Sequence, residues 1–86
     1  MITENKIFTV EYNDNDECVE IHIDKNGALE LLDILNQCIK SSQNDHFHLL
    51  APSWGGQELT DTIQNIDDSI KPISHLKIIY WASGNN

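Results

Sequence analysis

Four histidines are the residues most able to do chemistry in this chain. His46 and His48 stand two apart in Asp45-His46-Phe47-His48-Leu49-Leu50, and His22 and His75 lie in two other apolar runs. On an extended strand, residues two apart point the same way, so His46 and His48 share a face, and His22 shares one with Glu20 and Asp24. Imidazoles and carboxylates converging on one sheet face are a donor set for zinc or another divalent cation. Half-buried strand histidines bonded to backbone or to a neighbour satisfy the same pattern, and no further spaced ligand accompanies His-x-His. Nucleophilic catalysis is less well supported. Ser53 has no glycine two residues before it and so is not a nucleophile elbow. Cys18 and His22 are four apart on a strand, roughly 13 Å along it, too far for a dyad. The carboxylates cluster in turns without an apolar pocket to raise a pKa. Gly55-Gly56 lacks both the lysine and the spacing of a phosphate loop. These absences argue against an enzyme, and no cofactor is expected.

The elements that would position these groups follow from hydrophobic periodicity. Phe8, Val10 and Tyr12 alternate with Thr9 and Glu11, predicting a strand from Lys6 to Tyr12. Asn13-Asp14-Asn15-Asp16 is turn chemistry. Cys18 to Asp24 is a second strand, with Val19, Ile21 and Ile23 on the face expected to be buried and Glu20, His22 and Asp24 on the wet one. Asp24 then serves as N-cap of a helix over about Lys25 to Lys40, with Ala28, Leu31, Leu32, Leu35, Cys38 and Ile39 along one stripe. His46 to Ala51 is a third strand, stopped by Pro52, and Ser74 to Trp81 is the last. Residues Gln57 to Pro72 read either as a short helix through Ile63, Ile66 and Ile70 or as a strand followed by a loop. The expected fold is α+β, a single two-layer domain over residues 1–86. Its mainly antiparallel four-stranded sheet has the order β-β-α-β-β, with one amphipathic helix on one face. The uncovered face would carry Glu20, His22 and some of His46, His48, His75 and Lys77, with His22 and His75 on neighbouring strands.

Composition narrows the partner. Fourteen acidic residues face five lysines and no arginine, a formal charge of −9. That balance disfavours nucleic acid and anionic membranes, which call for a positive face. It favours a cationic partner, because a negative field accelerates encounters with positive surfaces. Asp14, Asp16 and Glu17 form one acidic cluster, and Asp61, Asp67 and Asp68 form another, each with little lysine nearby. Between them lies Pro52-Ser53-Trp54-Gly55-Gly56. Trp54 either plugs the end of the core while both glycines take positive φ, or is offered to a partner as an interface anchor rimmed by Glu58 and Asp61. The two cysteines, Cys18 and Cys38, are too few for a disulfide framework. Met1 to Lys6 has no apolar run behind a basic head, and nothing approaches the roughly 18 consecutive apolar residues of a membrane span. A reduced, cytoplasmic protein is expected.

His46-Phe47-His48-Leu49 through Trp54-Gly55-Gly56-Gln57-Glu58-Leu59, followed by His75-Leu76-Lys77-Ile78 and Trp81, resembles a family of small immunity proteins. These belong to bacterial polymorphic toxin systems, including contact-dependent growth inhibition loci. Ile21-His22-Ile23-Asp24 leading into Gly27 and the leucine-rich helix is similar too, so the resemblance covers most of residues 18–81. The polar stretch 60–72 is this chain's own variation. The resemblance implies a protein that binds and neutralises a cognate toxin domain in the producing cell, many such toxins being nucleases with basic clefts. On that reading the partner-binding residues are Asp14, Asp16, Glu17, Trp54, Glu58, Asp61, Asp67 and Asp68. The alternatives are a small metal-binding domain built on the four histidines, or a homo-oligomeric module pairing through an open strand edge such as Leu76 to Trp81.

Overall fold

The computed structural model describes residues 6–65 and 69–82. In chain order it contains β1 (Phe8–Asn13), β2 (Cys18–Ile23), α1 (Lys25–Lys40), β3 (Asp45–Leu50), a short 3-10 turn (Pro52–Trp54), β4 (Ile70–Ile73) and β5 (His75–Tyr80). The class is α+β with one helix, as the periodicity predicts. The single four-stranded sheet is not found. The described residues form five strands in two antiparallel sheets, β2-β1-β4 and β3-β5.

The extra strand is β4, in the stretch whose polar composition hid it. Over the described residues it is neither the short helix nor the strand-then-loop expected of residues 57–72, but irregular chain at 57–65 and then a strand from Ile70. Pro72 is tolerated there for a specific reason. Asp14 N–H donates to Ser69 O at 3.0 Å, so in the β1–β4 ladder the bonded pairs alternate onward to Tyr12·Lys71 and Val10·Ile73. Pro72, opposite Glu11, therefore turns its nitrogen away from β1 and forfeits no ladder bond. The chain then passes through Ser74 alone before β5 pairs with β3 in the other sheet.

The hairpin and the helix form where expected. Asn13 closes the four-residue β1–β2 turn by accepting the Asp16 N–H on its Oδ1 at 3.1 Å, with Glu17 in the left-handed region at φ 53°. Asp24 caps α1 by accepting the Gly27 N–H at 2.8 Å, and Lys40 sits in the last turn beside the negative end of the dipole.

Burial departs from expectation on both faces of the hairpin. Phe8, Val10 and Tyr12 stand opposite Ile23, Ile21 and Val19, so all six share one face. The helix covers the β1 part of that face, where Phe8, Val10 and Ile34 join Leu49, Ala51 and Leu59 in the core. Val19, Ile21 and Ile23, expected to be buried, remain exposed. On the helix itself only half of the apolar stripe is used: Cys38 is buried, whereas Leu32, Leu35 and Ile39 are exposed.

The face expected to be wet is roofed over. Thr60 N–H donates to Phe8 O at 2.8 Å and Phe8 N–H donates to Thr60 Oγ1 at 3.0 Å, which satisfies the first residue of β1 beyond the reach of β4. Thr9 Oγ1 donates to Thr62 O at 3.1 Å. The strap continues to Glu11, whose side chain has no exposed surface and whose carboxylate accepts the Gln64 N–H at 2.7 Å and the Asn65 N–H at 3.3 Å. Strand β1 is thus enclosed on both sides, with Thr9, Glu11 and Asn13 buried along with Phe8 and Val10. Removing the Glu11 carboxylate with Glu11→Ala would orphan two strap amides and open a cavity. The expected cost is roughly 2–6 kcal/mol, at about 1–3 for each of the two unsatisfied buried amides. Urea denaturation of the variant and the parent measures it, and a change under 1 kcal/mol would contradict the enclosed-strand account.

Candidate functional site

The outer face of the β3–β5 sheet gathers most of the residues singled out for chemistry. Phe47, Leu49, Leu76 and Ile78 turn inward against the core. The opposite face therefore carries His46, His48 and Leu50 on β3, facing Ile79, Lys77 and His75 on β5. His48 Nδ1 and His75 Nε2 share a hydrogen bond at 2.8 Å. The His46 ring meets His48 edge-on, 5.1 Å between centroids. His46, His48, His75 and Lys77 do share one sheet face, as alternation predicts. Glu20 and His22 do not join them, because β2 belongs to the other sheet and is not a neighbour of β5.

Trp54 extends this face. It ends the 3-10 turn, which closes through Trp54 N–H to Ala51 O at 2.8 Å and Gly55 N–H to Pro52 O at 2.9 Å. Gly55 takes φ 85°, the left-handed conformation that a side chain resists. Gly56 does not share it; a Cβ there would lie 2.4 Å from the Leu50 carbonyl oxygen, so its role is close backbone approach. The indole packs on His75 at 5.7 Å between centroids and is 61% exposed. Trp54 therefore does not plug the core; Leu59, five residues on, takes that place. Trp81, 70% exposed, lines an open hollow of about 280 Å³ with Asn44, Asp45, His46, Lys77 and Ile79. Trp81 and Ile79 were not singled out as site residues, although their period-two placement with His75 and Lys77 is visible in the sequence.

The acidic residues divide by role. Asp14, Asp16 and Glu17 lie exposed on the β1–β2 turn. Asp61 is exposed beside Trp54, accepting a bond from Ser53 Oγ at 3.3 Å. Strand β1 runs between these two regions, its first residue bonded to Thr60 and its last leading into the turn, a separation of roughly 20 Å. Glu58 is half-buried and turned to the end of β3. Its Oε1 accepts the Leu50 N–H at 3.1 Å, and that bond holds its carboxyl below the usual range. Asp67 and Asp68 lie outside the described residues.

Among the described residues, the three ligand-type groups whose donor atoms all lie within 4.8 Å of one another are Glu11, Glu20 and His22. His22 Nε2 is 2.9 Å from Glu20 Oε1 and 3.3 Å from Glu11 Oε1. Two carboxylates and an imidazole suit a divalent cation in donor type. Here, however, the oxygens already have partners. Glu11 takes the strap amides, and Glu20 accepts from Asn13 Nδ2 at 3.0 Å and Asn65 Nδ2 at 3.4 Å. The Asn13 and His22 hydrogen bonds hold the Glu20 carboxyl below its ordinary value. The group acts as a polar clasp between hairpin and strap. Nearby, the exposed Cys18 thiol is pushed up by partial desolvation and by the charges of Glu20 and Asp16, which keeps it protonated and a poor nucleophile.

No family model, curated protein or solved structure matches the chain. Among the described residues, no helix is long and apolar enough to cross a membrane.

The histidine face makes stability depend on pH in a defined direction. Desolvation, then His46, His75 and Lys77, pushes the His48 pKa below its usual value of 6.5. The unfolded chain then takes up a proton before the folded one does, so stability present above about pH 6.5 falls as the pH drops through that value. Thermal melts between pH 7.5 and 5.5 should show this loss, and His48→Gln should flatten it. An unchanged slope in the variant would remove His48 as its source.

Proposed function

We propose that this chain is a binding protein of the immunity type, which docks onto a cationic toxin domain and blocks it without performing a reaction. The toxin is a nuclease with a basic substrate cleft. The observation that carries this reading is the exposed Trp54. An indole held on a hydrogen-bonded turn, backed by His75 and next to Asp61, has the form of an interface anchor: large, rigid and only partly solvated. A net charge of −9 supplies long-range attraction to a basic surface. The histidine and Trp-Gly-Gly pattern that resembles the immunity family runs along this same face.

The two acidic regions have different duties on this reading. Trp54 and Asp61 make the short-range contact, while Asp14, Asp16 and Glu17 steer encounter from the far end of β1. Both fit within one interface of about 800 Å² per partner, whose width exceeds the roughly 20 Å between them. Specificity among toxins would reside in the exposed side chains of Asp14, Asp16, Glu17 and Asp61, which the apolar core does not use.

Co-expression tests the reading directly. The product of the reading frame upstream should be toxic alone and harmless when this protein is present. A harmless product, or one still lethal beside this protein, defeats it. With that toxin in hand, Asp14→Asn/Asp16→Asn/Glu17→Gln should slow association several-fold at low salt and leave dissociation nearly unchanged. Trp54→Ala should instead accelerate dissociation by about tenfold or more. Stopped-flow and surface-binding kinetics separate the two.

A further inference from the structure

Strand β2 stands at the end of its sheet, with β1 on one side and no described strand on the other. Asp24 N–H donates to Ile7 O at 3.1 Å, which fixes the alternation along the hairpin. Ile7·Asp24, Thr9·His22 and Glu11·Glu20 are then the bonded pairs, and Val19, Ile21 and Ile23 direct their N–H and C=O groups to the open edge. These same three residues carry exposed apolar side chains, at 61%, 48% and 42%. The β5 edge differs. Ala51 N–H donates to Ser74 O at 2.9 Å, so the outward groups there belong to His75, Lys77 and Ile79, and a lysine on an edge guards it against pairing. No such guard stands among the outward residues of β2.

We propose that β2 pairs antiparallel with the β2 of a second copy of this chain, forming a symmetric dimer centred on Ile21. The register selects itself. With Ile21 opposite its own counterpart, Val19 faces Ile23 of the second copy and Glu20 faces its His22. A slip of one residue sets apolar side chains against polar ones. A slip of two sets Glu20 against Glu20, or His22 against His22 with Glu20 against Asp24, and like charges directly opposite destabilise. Only the Ile21-centred pairing joins apolar to apolar and acid to imidazole.

The helix adds to the contact area. It lies on the side of the sheet carrying Phe8 and Val10, which is also the side of Val19, Ile21 and Ile23. On its flank opposite Glu30, which pairs with Lys6 beside Gln57 and Glu58, it leaves Leu32, Leu35 and Ile39 exposed at 52%, 42% and 72%. At roughly 80–100 Å² of accessible surface each, these six side chains offer about 500–600 Å² per protomer on area bookkeeping. The edge backbone, Glu20 and His22 bring the total near the roughly 800 Å² per partner of a standard interface. The dimer does not depend on the toxin reading, and salt separates the two. Pairing two anionic protomers should strengthen as salt screens their repulsion, whereas docking onto a cationic toxin should weaken.

Sedimentation of the full chain from about 1 to 500 µM should show a reversible monomer–dimer equilibrium that Ile21→Lys weakens at least tenfold, with the far-ultraviolet spectrum unchanged. In a Cys18→Ser background, Ile21→Cys should form a disulfide-linked dimer under mild oxidation. The two sulfurs would stem from Cα atoms about 5.5 Å apart, within disulfide reach. Val19→Cys in the same background should not link, since its counterpart lies roughly 13 Å along the strand. A chain monomeric throughout the range, a dimer indifferent to Ile21→Lys, or equal cross-linking at positions 19 and 21 would overturn the proposal. Should Ile21→Lys fail to fold, the cysteine pair decides the matter alone.

Discussion

The structure depends on a carboxylate with no access to water. Glu11 lies at the middle of β1 and receives two backbone amides of the strap, with His22 and Glu20 against it. A buried charge is tolerable only when hydrogen bonds replace the water it has lost. Here those bonds come from a segment with no regular structure of its own, and Thr60 and Thr62 anchor the same segment further back along β1. The carboxylate thereby orders the strap and seals the polar side of the three-stranded sheet. With that side closed by hydrogen bonds, α1 is free to serve the other side, where Ile34 meets Phe8, Val10 and Leu49. The strap also carries the chain from the Trp54 turn to β4, so the placement of the aromatic face follows from the same interaction.

Much of this was legible in the residues. The α+β class, the hairpin, the Asp24 cap, the span of α1 and the common face of His46, His48, His75 and Lys77 all follow from periodicity and turn chemistry. The fifth strand was not legible, because Ile70-Lys71-Pro72-Ile73 contains the residue that argues hardest against a strand, and only the β1 register shows that its nitrogen points outward. The hairpin faces could not be assigned either. Alternation separates Val19, Ile21 and Ile23 from Glu20 and His22, but it says nothing about which set will be covered. A distant polar segment settled that by bonding to Glu11, a long-range pairing with no local signature. Trp54 was open between core and surface, and Leu59 took the core position. The acidic tips Asp14, Asp16 and Glu17 lie exposed where turn chemistry puts them, whereas the pairing of the Glu58 carboxylate with the Leu50 N–H at a strand end has no local signal in the sequence.

The molecule thus has two surfaces of opposite character. The aromatic and histidine face around Trp54, together with the acidic turn, suits a wet interface with a basic protein. The β2 edge and the idle half of the α1 stripe are apolar and exposed. Because β2 and β5 lie in different sheets, the Trp54 face is separate from the β2 edge, and a pair of chains would present two copies of it. Two such faces on one assembly raise the effective concentration at a partner that is itself multivalent, without any new contact.

Ser74 sets a rule for how this chain can change in length. It is the sole residue between β4 and β5, and it hands the backbone from one sheet to the other while its carbonyl anchors Ala51. Adding or deleting one residue at that joint would turn β5 inside out, sending His75 and Lys77 toward the core and Leu76 and Ile78 toward solvent. Insertions and deletions among descendants of this sequence should accordingly accumulate elsewhere, at the tip of the hairpin, while the Ile73-Ser74-His75 spacing stays fixed.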